Sequence, residues 1–131
     1  LFFLIQNLHY LESGDFVTTK SNLAEMVSED DIVKYALGLA DVSERRDGAL
    51  RIFTRGEKIF LVIEADTDPL RVETRCDRRL SKALQGQYES VMESRALGRN
   101  GIEIICSGQL TSDEILDLIR HSYEISIPEA E

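Results

Sequence analysis

Ile102-Glu103-Ile104-Ile105-Cys106, then Gly108, then Thr111-Ser112-Asp113-Glu114 leading into Ile115-Leu116-Asp117-Leu118-Ile119, is the stretch that decides the fold. The first five residues form a short apolar run of the kind that buried strands show. Gly108 punctuates it. Thr111 and Glu114 have the spacing of a capping box, in which each side chain satisfies the other residue's backbone amide. Ile115, Leu118, Ile119 and Ser122 then share one helical face, with Leu116 and Tyr123 on its flank. The helix is expected to end near Tyr123, followed by a short extended tail up to Pro128. A strand feeding a capped amphipathic helix implies a layer of helix over a layer of sheet.

Working outward, residues 50–55 and 58–64 are two apolar strands joined through Gly56, a short hairpin signal. Residues 70–76 follow the turn Asp66-Thr67-Asp68-Pro69 and alternate cleanly. Leu70, Val72, Thr74 and Cys76 fall on one face, and Arg71, Glu73 and Arg75 on the other. Asp77 caps a second helix carried by Leu80, Ala83, Leu84 and Tyr88. Gly98-Arg99-Asn100-Gly101 reads as a turn before the last strand. At the front, Ser28 is an N-cap followed by Glu29, Asp30 and Asp31, which complement the positive end of a helix dipole. Ile32, Val33, Ala36 and Leu37 recur at helical spacing, and Gly38 weakens the end. The order is α-β-β-β-α-β-α. Tight strand connections predict an antiparallel sheet, so the fold class is α+β: a two-layer sandwich with helices packed on one face. Ile59, Val72, Ile104, Ile115 and Ile119 should meet in its core.

At 131 residues the chain can bury a real core as one domain. Its formal net charge of −9 disfavours indiscriminate attraction to nucleic acid or anionic membrane. The average conceals a partition. Residues 41–82 hold ten of the 15 basic side chains and nine acidic ones, while the flanking segments are strongly acidic. Two cysteines, Cys76 and Cys106, each close an apolar strand pattern, which fits buried thiols in a reducing cytoplasm. With His9 and His121 they show no metal-ligand spacing, and no run is long enough to span a membrane. No metal, cofactor or membrane is expected.

Several segments in order carry a resemblance. They are Leu37-Gly38-Leu39-Ala40-Asp41-Val42-Ser43-Glu44, Gly56-Glu57-Lys58-Ile59-Phe60, Asp68-Pro69-Leu70-Arg71-Val72, Cys76-Asp77, the strand at 102–105, and Ser122-Tyr123. Together they resemble the MmcQ/YjbR family of small bacterial domains, whose fold has been compared to frataxin and to secretion chaperones. Two positions depart from the family pattern. Ala40-Asp41 stands where the family shows Pro-Gly, and a tryptophan common near the last strand is replaced at about Gly101. The resemblance spans residues 26–127. Residues 1–25 read as a non-family extension, whether added by cloning, translated upstream sequence or lineage-specific, and 128–131 as a tail. The resemblance implies a non-enzymatic accessory protein with DNA contact through the sheet. The alternative is a protein-interaction or self-associating module, as the secretion-chaperone comparison implies.

The candidate DNA-contacting residues are Arg51, Arg55, Lys58, Arg71, Arg75, Arg78 and Arg79. Clustered cations are what phosphate binding requires, and an antiparallel sheet could gather these on the side away from the helices. The competing reading has Arg71 and Arg75 paired with Glu73, Glu57 or Glu64 on a solvated face. Phe53, flanked by Arg51 and Arg55, is better read as core than as a base-stacking platform. The acidic set Glu25, Glu29, Asp30 and Asp31 is explained by the helix dipole rather than by metal binding. His121-Ser122-Tyr123 is no catalytic triad, because adjacent helical residues project in different directions. No catalytic residue is assigned.

Overall fold

The computed structural model describes residues 27–127, and the expectations for residues 1–25 and 128–131 lie outside them. Helix α1 spans Glu29–Leu37, with Ser28 Oγ accepting from the Asp31 amide at 3.1 Å. Strands β1 (Val42–Asp47), β2 (Leu50–Arg55), β3 (Lys58–Glu64) and β4 (Arg71–Arg75) follow. Then come helix α2 (Arg78–Gln87), strands β5 (Val91–Ser94) and β6 (Gly98–Ile105), and helix α3 (Ser112–Ile125). The six strands form one sheet in the order β1-β2-β3-β4-β6-β5, and every neighbouring pair is antiparallel. The fold is therefore an α+β sandwich with the described helices on one face.

Both strands that the sequence reading lacks are edge strands. β1, Val-Ser-Glu-Arg-Arg-Asp, has one apolar residue and is mostly exposed, so it shows no period-two apolar signal. β5 has only four residues. The stretch Gly98 to Gly101, read as a turn, is the first half of β6, and α3 runs two residues past Tyr123. Asp41, beside the turn after α1, has φ 63°. That left-handed conformation favours glycine, the residue the resembled family shows there.

The ladder register sorts side chains onto two faces. Arg51, Ile63, Val72, Ile104 and Val91 form one cross-strand row. Its last four members belong to the core with Leu80, Leu84, Ile115, Leu118 and Ile119 of the helices. The adjacent row is Arg45, Ile52, Val62, Glu73, Glu103 and Met92, on the face away from the helices. Of the five expected core residues, Ile59 falls outside, because β3 carries a bulge. Phe53 pairs with Leu61 and Thr54 with Ile59, so Phe60 is the extra residue and turns inward beside Leu61.

That bulge is repaired from the helix layer. The β3–β4 ladder stops at the pair Leu61 and Thr74, where Phe60 and Arg75 would come next. Ser122 of α3 stands between them. Its Oγ donates to the Phe60 carbonyl at 2.6 Å and accepts from the Arg75 amide at 2.7 Å. Its neighbour His121 accepts the Asp77 amide at Nε2, 3.2 Å away, while Asp77 Oδ1 caps α2 through the Arg79 and Leu80 amides. Thus two adjacent residues of α3 fasten β3, β4 and the start of α2.

Candidate anion-binding surface

The seven predicted contact residues do not form one patch. Arg51 belongs to the core-facing row, where it lies between the layers and bonds Glu44 of β1 at 2.7 Å and Glu29 of α1 at 2.9 Å. The hydrogen bonds it donates to those two carboxylates hold its guanidinium above its ordinary pKa. Arg55 donates to the Tyr123 carbonyl at 2.9 Å and stacks over the Tyr123 ring at 4.2 Å, an amino-aromatic contact with the last helix. The single register that makes Phe53 a core residue carries Arg51 towards the helices with it.

Arg71 and Arg75 do lie on the face away from the helices, but both are engaged. Arg71 bonds Glu103 at 2.8 Å, and Arg75 Nε donates to the Ile59 carbonyl at 2.6 Å. Glu103 is 1% exposed. Its carboxylate is held from the other side by Arg95, at 3.0 Å through Nε and 3.2 Å through Nη2, and Arg95 also reaches Glu64 at 3.1 Å. These carboxylates raise the Arg95 pKa, Glu103 foremost. Beside it, buried Glu73 accepts the Ser94 hydroxyl and the Ala96 amide at 2.8 Å. Buried carboxylates need such partners, so these arginines serve the sheet. The expected pairing partners, Glu73, Glu57 and Glu64, are thereby replaced by Glu103 for Arg71 and by a main-chain oxygen for Arg75. Lys58 is half-buried at the start of β3.

Arg78 and Arg79 are different. Both are exposed on the first turn of α2, and neither enters an ion pair among the described residues. Arg78 lines a cleft with Lys82 one turn on, Ser81 and Gln85 of α2, Glu93 of β5 and Arg99 of β6. Three cations from two elements thus face one acid. Lys82 and Arg99 were absent from the predicted set. Lys82 was legible as the i+4 neighbour of Arg78, whereas Arg99 was hidden because its segment read as a turn.

Other chemistry is limited. Cys76 and Cys106 are buried free thiols, each pushed up to about 12 by burial. Cys76 donates its amide to Asn100 and Cys106 to Leu70, at opposite ends of the β4–β6 ladder, so they are too distant to bond each other. Among the described residues no His, Cys, Asp and Glu group could hold a metal ion, and no helix is long and apolar enough to cross a membrane.

No family model matches the chain, and neither does any curated protein sequence. Solved structures do. Deinococcus radiodurans protein DR2400, which carries a DUF419 domain, superposes with a TM-score of 0.70 at 19% identity, over 77% of this chain and 79% of that one. A Pseudomonas syringae protein superposes at 0.64 with 14% identity, over 77% of this chain and 100% of that one. The chain shares the fold of these proteins.

Proposed function

We propose that the chain is a non-enzymatic, MmcQ/YjbR-like accessory domain that contacts DNA weakly through the phosphate backbone. The observation supporting this reading is a division among its cations. Arg51, Arg55, Arg71 and Arg75 are spent within the fold, whereas Arg78, Arg79, Lys82 and Arg99 project from α2 and β6 without ion pairs among the described residues. Phosphate contacts position a protein without reading sequence, and on α2 the polar Ser81 and Gln85 beside these cations bond each other at 2.9 Å. Binding should be weak, tolerant of sequence and steeply weakened by salt, with the net charge of −9 opposing it. Titration of a labelled duplex at low and moderate salt tests this. The double variant Arg78→Glu with Lys82→Glu should abolish binding without loss of the fold. If wild-type protein shows no binding at low salt, the reading fails.

A second reading, a protein-docking module, is favoured by one feature. Val27, Tyr35 and Leu116 line a groove between α1 and α3, and Leu37 nearby is 47% exposed. Sedimentation at several concentrations distinguishes self-association from the monomeric binder.

A further inference from the structure

Resting on the proposed phosphate contact, we infer that the cleft between α2 and the β5–β6 pair is a discrete site for a phosphomonoester, the dianionic phosphate of a nucleotide or of a strand end. Arg78, Lys82 and Arg99 against Glu93 give the cleft three cations and one anion. A phosphomonoester carries a charge of about −1.5 to −2 at neutral pH, whereas an internal phosphodiester carries about −1. The excess of cations matches the former.

Shape adds to this. Internal phosphates of a duplex recur along a line and call for a track of cations, but these three converge on one concavity from two elements. The helix end is not the binding element. Its Arg79 and Leu80 amides are already taken by Asp77, so side chains would do the work. At the cleft, Ser81 is 5% exposed, and its Oγ accepts Gln85 Nε2 at 2.9 Å. The Ser81–Gln85 pair thus gives the α2 wall of the cleft a neutral polar lining beside its cations. Glu93 sits where it would accept from a sugar hydroxyl or repel a second phosphate. A small dianion also escapes most of the repulsion that a chain of net charge −9 exerts on a long polyanion.

The test compares one 12-residue oligonucleotide bearing a 5′-phosphate with the same strand bearing a 5′-hydroxyl, and adds adenosine monophosphate as a third probe. The full chain is used at low salt. The phosphorylated strand should bind roughly tenfold tighter, as expected for charge-assisted bonds to the extra negative charge. Arg99→Gln should erase that advantage, and it should shrink as pH falls below about 6, where the monoester gains a proton. Equal affinity of the two strands overturns the inference and leaves the DNA reading standing. Binding of adenosine monophosphate alone, with neither strand bound, supports the site and overturns the DNA reading. Binding of none of the three overturns both. Circular dichroism of Arg99→Gln must match wild type, and Lys82→Gln, on the other element, provides the second variant with the same expected loss.

Discussion

Ser122→Ala is the most exacting probe of how the two layers are joined. The wild-type hydroxyl bridges the Phe60 carbonyl and the Arg75 amide at 2.6 and 2.7 Å, and Ser122 is fully buried. Alanine removes the bridge but not the backbone groups. The strands are splayed at this point, so the Phe60 carbonyl and Arg75 amide cannot close on each other without flattening the bulge. Each buried group left unsatisfied costs about 1–3 kcal/mol. Water relieves part of that on the Arg75 side, which is only half-buried, so the sum should fall at about 2–4 kcal/mol. A surface Ser→Ala change would stay within about 0.5 kcal/mol. Urea unfolding followed by circular dichroism should show a lower midpoint with an unchanged slope. Amide exchange supplies a second readout, in which the Arg75 amide loses protection while Thr74, inside the ladder, keeps it. A loss below about half a kilocalorie, with Arg75 still protected, would refute the idea that α3 completes the β3–β4 ladder.

Arg71→Glu should destabilise by about 1–3 kcal/mol, since it leaves buried Glu103 with Arg95 alone and faces it with a like charge; Arg79→Glu, exposed in the first turn of α2 where an acid complements the helix dipole, should not lower the urea midpoint. Asp41→Gly should stabilise by about 1 kcal/mol, because glycine relieves the left-handed strain at φ 63°; a thermal midpoint that falls would contradict this. Burial holds the His121 imidazole below its ordinary value of 6.5, so its contribution is intact above that pH. It is lost as pH falls through 6.5 towards the folded-state value, because the unfolded chain takes the proton first. Glu114 acts in the opposite sense, since burial raises its pKa and its contribution fades as pH rises above 4.5. His121→Gln should therefore flatten the urea-midpoint profile between about pH 7 and 5.5, and an unchanged slope would count against the buried neutral imidazole.

What could be read beforehand followed from local chemistry. Thr111 and Glu114 form both bonds of the expected capping box, and Ser28 and Asp77 cap their helices as their positions implied. Those signals act within three or four residues of chain. β1 was silent because an edge strand needs no apolar face, and Glu44-Arg45-Arg46-Asp47 has none. Which arginines face solvent depended on register. Alternation placed Arg51, Phe53 and Arg55 together, and reading Phe53 as core should have turned the two arginines towards the helices. Ile59 left the core through a bulge that only the partner strand reveals. The α2 cleft depended on Arg99 approaching Arg78 and Lys82 across the β5–β6 pair, a meeting made by tertiary packing.

The unequal borders of the sheet constrain how copies of this chain can meet. On one side β1 offers a row of main-chain groups along Glu44, Arg45, Arg46 and Asp47, and on the other β5 offers only four residues. A strand joining at β1 would have to strip water from the exposed ionic side chains of Arg45, Arg46 and Asp47, and one joining at β5 would gain few bonds for the order it imposes. Continuous sheets running from molecule to molecule are disfavoured at both ends. The helical layer, where Leu37, Tyr35 and Leu116 are within reach, offers side chains for such a contact instead.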